Sequence, residues 1–443
     1  MSTAFHRIRR LLQARTGLAT VVQTGIATAS VLAINVVTGI ISARYLGAHG
    51  RGELAALLLA PQFLSFLFTF GLPASLIVKL RHRAADSGEL MGAALLISLL
   101  AGVLAGTCGV VAAPWLLKQY DPDTLRFARL LMILVALGVT SAVLMAALQV
   151  ANRFDAYNRL RLWQSVLTLF SLAALALSGH FTPFTGALAY VVPTLPFFVW
   201  NLWWVIREFR PKLRFLRPAS ASLLSYGWRV HVTDVGNALF GQLDKLILVT
   251  VLAPALFGVY VVVFNLSRLI TTFANCTVPV LLPRSAGKSA DEVLTLTARA
   301  LAGTVVLTLV AFSGFLIFGG LALRWAYGPQ FAAGYDVLVI LSLEASLSSA
   351  ASVLQQPYLV LHRPGTLAAF HVAALVLAGF LIYVLARLFQ SEGAALGLLL
   401  ATAVRYALTY AGFLRILGIA PPGLLPSRAD LAGILSRARA TLA

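Results

Sequence analysis

The chain has 443 residues, 60% hydrophobic and 11% charged, with 34 Lys and Arg against 15 Asp and Glu for a formal net charge of +19. Apolar stretches of about 20 residues, enough for a helix to cross roughly 30 Å of hydrocarbon, recur throughout and exclude a water-soluble globule. The two cysteines, Cys108 and Cys276, both sit inside apolar runs, which predicts small buried side chains, with no disulfide, metal site or cofactor.

The N-terminus, "MSTAFHRIRRLLQAR", is basic and leads into an apolar segment ending near Ala43. That segment is too long for a signal-peptide core and no small-residue cleavage site follows, so a retained first span is expected. Hydropathy predicts twelve spans, at 20–43, 54–78, 91–117, 128–150, 161–178, 184–206, 224–249, 255–282, 293–320, 336–361, 366–387 and 394–416. The fold class expected is an all-α integral membrane protein with short connections.

Basic residues collect on one side of these spans: the N-terminus, "KLRHR" (79–83), "NRFDAYNRLR" (152–161), "REFRPKLRFLR" (207–217), "PRSAGK" (283–288), "HRP" (362–364) and the tail. That side is expected to face the cytoplasm, with both termini on it. Most of the positive charge is then a topology signal, and no nucleic-acid partner is implied.

Residues 207–220 divide the chain nearly evenly. The expected organisation is a six-helix lobe at 1–206, a basic cytoplasmic linker at 207–220, a second six-helix lobe at 221–418 and a basic tail at 419–443. A shift of 206 sets 44–76 over 250–282, where Gly52 meets Gly258 and Pro73 meets Pro279. Six spans per half give both halves one orientation, hence a pseudo-twofold along the membrane normal, with substrate bound between the halves near mid-membrane. Prolines inside spans, Pro73 and Pro279 among them, permit bending, though membrane helices also tolerate proline without any such purpose.

The seventh span, "GWRVHVTDVGNALFGQLDKLILV" (227–249), carries unusual charge. At helical spacing Gly227, His231, Asp234, Asn237, Gly241 and Asp244 or Lys245 form one polar stripe. An amphipathic helix lying on the membrane would look similar, but it would invert the charge pattern of every later connection, so a cavity-lining span is expected. Arg268 and Arg405 fall near mid-depth of later spans and Glu344 in an outer half. Charges at the bilayer centre cost about 2.5–3.5 kcal/mol each on insertion scales, so these are expected to face protein or water. Arginines there suit phosphate or carboxylate oxygens, making Arg229, Arg268, Arg405 and Asn237 candidate substrate contacts. His231, Asp234, Asp244 and Glu344 could exchange a proton or hold a sodium ion. Structural ion pairing is the alternative for the charged residues among them.

Three stretches carry a resemblance: "ARYLGAHGRGELA" (43–55), "YGWRVHVTDVGNALFGQLDKLILVTVLAPALFGVYVVV" (226–263) and "VPVLLPRSA" (278–286). The chain resembles the polysaccharide transporter (Wzx-type flippase) branch of the multidrug/oligosaccharidyl-lipid/polysaccharide exporter superfamily. The resemblance implies two six-helix lobes in a V around a central cavity. It also implies alternating access that turns a polyprenyl-diphosphate-linked oligosaccharide, an O-antigen, exopolysaccharide or capsule repeat unit, to the outer leaflet of the bacterial cytoplasmic membrane. Membrane lipids, a coupling proton or sodium ion and polysaccharide polymerase machinery are the partners it suggests. Arg44, Gly47, Gly52, Asp244, Lys245, Gly258 and Tyr260 match the family's motif positions, with Arg44 and the glycines expected as packing and turn elements. A drug/cation antiporter and a lipid II flippase are alternatives within the superfamily. A membrane glycosyltransferase or polymerase using Asp121 and Asp123 of "YDPDT" (120–124) is the enzyme alternative, although Asp-Pro-Asp is also an ordinary turn.

Overall fold

Hydrocarbon offers no hydrogen-bond partners, so a chain this apolar must satisfy its backbone internally, and helices do so within one segment. The computed structural model describes residues 17–82, 86–285, 288–361 and 363–423. Among these residues there is no strand. The basic N-terminus, the tail from 424 and parts of three basic connections lie outside the described residues, as do the side chains of Asp234, Asn237, Cys276 and Pro279.

The first half runs α1 (Gly17–Leu67), α2 (Leu72–His82), α3 (Ser87–Leu116), α4 (Pro122–Leu131), α5 (Val135–Val150), α6 (Phe154–Ser178), α7 (Pro183–Val191) and α8 (Thr194–Phe209). Then come α9 (Leu216–Val251), α10 (Pro254–Ser267), α11 (Thr272–Ser285), α12 (Ala290–Ala322), α13 (Tyr335–Leu354), α14 (Gln356–Val360) and α15 (Pro364–Gly412). Eight helical stretches among the described residues are long and apolar enough to cross a membrane. Two of them, Ala27–Leu80 and Gly365–Leu417, run to 54 and 53 residues.

Those two contain the first correction to the sequence reading. The expected loop between the first two spans is a single kink at Gly47 (φ 66, ψ −175), backbone that a side chain at Cβ would forbid. The turn between the last two is confined to Phe389 and Gln390, the latter at φ 51 and ψ −128. Conversely, two expected continuous spans are broken. The chain turns at 68–71, with Phe70 at φ 48 and Gly71 at φ 66, and again at 268–271. Arg268 therefore caps the C-terminus of α10 rather than sitting inside a continuous helix.

The 206-residue offset between halves matches Gly47 to Ala253, the residue before α10. Further on it slips by six residues, since α2 begins at Leu72 and α11 at Thr272, an offset of 200. Pro73 thus stands at the second residue of α2, whereas Pro279 lies well inside α11.

The chain divides into two compact units, Met1–Ala238 and Leu239–Ala443, the division falling within α9. In the first unit the core gathers Leu72, Leu76, Met91, Leu144, Val205 and Leu223. Glycines let helices approach closely: a Cβ at Gly92 would run into the backbone carbonyl of Lys212, and one at Gly102 into Ala136. The early turns of α9 pack on the 68–71 turn. Ser75 donates to the Leu223 carbonyl at 2.7 Å, and a Cβ at Gly71 would strike the carbonyl oxygen of Gly227. The second unit is centred on Leu281, Val353, Leu354, Tyr358 and Phe413.

Leu100, Val103, Leu104 and Val111 leave an apolar face of α3 uncovered, as a lipid-facing helix requires. Cys108 lies among them and is exposed, not buried as its apolar surroundings predicted.

Candidate functional site

In the second unit, helical spacing brings five charged residues together. Tyr260, Phe264 and Arg268 are four apart and share one face of α10. Glu344 and Ser348 lie one turn apart on α13, and Thr402, Arg405 and Thr409 follow one face of the second segment of α15. Asp244 and Lys245 come from the C-terminal turns of α9.

The Tyr260 hydroxyl donates to Asp244 Oδ2 at 2.8 Å, and both residues are buried. This bond joins the two halves of the Leu-Asp-Lys and Gly-x-Tyr motif. Lys245 donates to Gln242 Oε1 at 2.7 Å and rests its ammonium 4.3 Å from the centre of the Phe264 ring. The Arg268 guanidinium approaches the same ring at 4.3 Å, so one aromatic side chain serves two cations.

Arg268 Nη2 pairs with Glu344 Oε2 at 2.7 Å. The Thr402 hydroxyl donates to Glu344 Oε1 at 2.8 Å, and Arg405 Nη2 donates to Ser348 Oγ at 3.0 Å. Arg405 lies within electrostatic reach of both Glu344 and Arg268. The pair is unequal: the Glu344 side chain is 1% exposed and the Arg268 side chain 27%. A desolvated carboxylate with a partly open guanidinium has one exchangeable partner, because Arg268 can turn toward another anion while Glu344 cannot leave. Among the described residues three cations and two carboxylates make up the cluster, a positive balance.

Of the expected substrate residues, Arg268 and Arg405 therefore fall together, with Asp244 and Glu344 from the expected coupling set. Arg229 and His231 belong to the first unit. Arg229 is exposed on α9, while His231 is buried with its ring 5.6 Å from that of Phe70. Asp234 and Asn237 lie on helical backbone, but their side chains are outside the described residues. Among the motif residues, Arg44 is exposed, Gly47 forms the kink, and Gly52 and Gly258 are buried.

One carboxylate of the enzyme reading is engaged. Asp123 pairs with Arg126 at 3.3 Å, and Asp121 holds the position before α4. Asp121 also approaches His49 and Glu53 closely enough for the three to share an ion, but His49 and Glu53 already pair at 3.4 Å.

A second site escaped a reading that followed charges. The first unit holds a cavity of about 650 Å³ between α1, α4–α5, α6 and α7–α8. Among the described residues its lining includes the amides of Asn35, Gln62, Gln164 and Asn201, one cation, Arg161, and no carboxylate. The signal available in the sequence was four carboxamides inside four different apolar spans.

The sequence profile of the family described as "Polysaccharide biosynthesis protein" matches residues 41–335, more than half of the chain. The chain belongs to the polysaccharide biosynthesis protein family. A curated relative, "Probable low-salt glycan biosynthesis flippase Agl15" of Haloferax volcanii, is 24% identical over 191 residues, which span 42% of this chain and 40% of the relative. The match thus covers under half of that protein's length. Among solved structures, an inward-facing multidrug resistance MATE family transporter of the MOP superfamily aligns with a TM-score of 0.73 at 14% identity, over 90% of this chain and 98% of its own. The lipid II flippase MurJ in an inward closed conformation aligns at 0.75 and 15% identity, over 90% of this chain and 88% of its own. These likenesses establish the fold of this polysaccharide biosynthesis family member as the multi-pass, all-α fold those membrane proteins share.

Proposed function

We propose that this polysaccharide biosynthesis family member flips a polyprenyl-diphosphate-linked oligosaccharide from the cytoplasmic to the outer leaflet by alternating access, coupled to a cation. The observation that carries the reading is the Arg268–Glu344 pair, a partly open guanidinium on a fully buried carboxylate, within a cluster where cations outnumber carboxylates. A diphosphate competes for Arg268 through charge-assisted, bidentate hydrogen bonds. Glu344, left desolvated beside Thr402, then takes up a proton, since an unpaired buried carboxylate costs several kcal/mol. Release of the lipid on the far side returns Arg268 to Glu344 and frees that proton. Arg405, held by Ser348, keeps the local field positive throughout.

Twelve crossings fit the helices. Ala27–Leu80 and Gly365–Leu417 each count twice, divided at Gly47 and at Phe389–Gln390, and α9 and the broken α10–α11 pair join the other six apolar stretches. The basic connections then favour a bacterial cytoplasmic membrane with both termini inside. A lipid II flippase shares the diphosphate and differs in the sugar. A drug/cation antiporter fits less well, because a cationic cargo needs an acidic site and this cluster has the opposite balance.

The test is complementation of a deletion strain with Arg268→Gln. Lipid-linked repeat units should accumulate on the cytoplasmic face while drug tolerance stays at its wild-type level. Continued glycan export together with lost drug tolerance would show the reading to be wrong.

A further inference from the structure

The charged cluster of the second unit answers to the diphosphate but offers little to a sugar, whose hydroxyls are neutral and need both donors and acceptors. We propose that the cavity in the first unit is the subsite for a sugar residue of the lipid-linked glycan, recognised through its carboxamides. This rests on the flippase reading and adds to it a place for the glycan.

Three observations support the assignment. The volume, about 650 Å³, lies within the range of small-molecule sites. The chemistry of the lining is neutral and two-sided, since each carboxamide of Asn35, Gln62, Gln164 and Asn201 both donates and accepts, as a hydroxyl does. The aromatic rings of Phe66 and Tyr190 supply apolar faces for a pyranose ring. With one arginine and no carboxylate in its lining, the cavity is poorly suited to a cationic drug or a coupling cation.

The third observation is Asn201 itself. It is 3% exposed; among the described residues its amide nitrogen meets the Met145 sulfur at 3.8 Å, and its carbonyl oxygen has no hydrogen-bond partner. A buried amide oxygen without a partner costs about 1–3 kcal/mol, a cost that ends when the amide turns toward the cavity that Asn201 lines and meets a donor there. Water could donate, but a sugar hydroxyl would do so in a fixed place, and the neighbouring carboxamides on α1 and α6 would hold its other hydroxyls.

The test uses the full-length protein in nanodiscs, with Cys108 and Cys276 replaced by Ala and a single cysteine introduced as Ser141→Cys or, independently, Ser165→Cys; both positions line the cavity. The two probes are the lipid-linked oligosaccharide fraction of the host and the same fraction with its glycan removed, leaving polyprenyl diphosphate. Retention of each probe by the protein is measured alongside alkylation of the cysteine by a hydrophilic maleimide. At probe concentrations near ten times the dissociation constant, the intact fraction should slow alkylation about tenfold and the sugar-free lipid should leave it unchanged. Adding Asn201→Leu should weaken the protection about tenfold, with Gln164→Leu as the alternative should the first variant fail to fold.

Equal protection by both probes would assign the cavity to the lipid or its diphosphate and overturn the proposal. Retention of the intact probe without protection of either cysteine would overturn it while leaving the flippase reading standing, as would a cysteine that never reacts or protection unaltered by the carboxamide variants. Failure to retain either probe would remove the flippase reading and this inference together.

Discussion

Removing Arg268 should cost far more than neutralising its partner. The pair is 2.7 Å long, with Glu344 at 1% side-chain exposure and Arg268 at 27%. In Arg268→Met the carboxylate keeps its Thr402 hydrogen bond but loses its counter-charge in a site that water does not reach. Breaking a buried pair from this side costs about 3–5 kcal/mol. Glu344→Gln leaves an arginine that is partly open and still stacked on Phe264, so about 1–2 kcal/mol is expected. The double variant Arg268→Met/Glu344→Gln should cost about 2.5 kcal/mol, less than Arg268→Met alone, giving a coupling of about 3 kcal/mol. The assay is unfolding in mixed micelles followed by intrinsic fluorescence, with all three variants measured side by side. Equal costs for the two single variants, or a double variant as unstable as Arg268→Met, would refute the unequal burial on which the exchange mechanism depends.

Three further outcomes can be checked. Tyr260→Phe removes a buried hydrogen bond from the Asp244 carboxylate and should destabilise the protein by about 1–3 kcal/mol, visible as a lower melting temperature in detergent. Gly47→Ala should cost about 1–3 kcal/mol from backbone strain alone, and Gly71→Ala more, since its Cβ also meets the Gly227 carbonyl; folded yield by size-exclusion chromatography separates both from a neutral control such as Gly365→Ala, which has open space. Ser289 and Glu292 form a reciprocal capping box at the start of α12, with the serine accepting from the Glu292 amide, so Ser289→Ala should cost about 1 kcal/mol and increase amide exchange in the first turn of that helix only.

Much of this was legible before any coordinates. Apolar content and run length determined a membrane-spanning, all-helical chain, because hydrocarbon leaves the backbone no alternative, and no tertiary contact can reverse that. The motif residues Asp244 and Tyr260, and the charges Arg268, Glu344 and Arg405, stood out because ionised groups in apolar spans have so few tolerable places. Which of them meet was decided only by the fold. Glu344 finds Arg268 and Thr402 across 76 and 58 residues of sequence, and those separations carry no periodic signal. The breaks were equally hidden. Hydropathy averages over a window and cannot see one residue with left-handed backbone, so the kink at Gly47 passed for a loop and the turns at 68–71 and 268–271 passed for continuous helix. Carboxamides at Asn35, Gln62, Gln164 and Asn201 were invisible as a group because each is an isolated, uncharged residue in its own span; only packing four helices around one void makes them a lining. Composition and periodicity act locally along the chain and so dictate which segments are helical, whereas pairing and cavities are properties of the distances between helices.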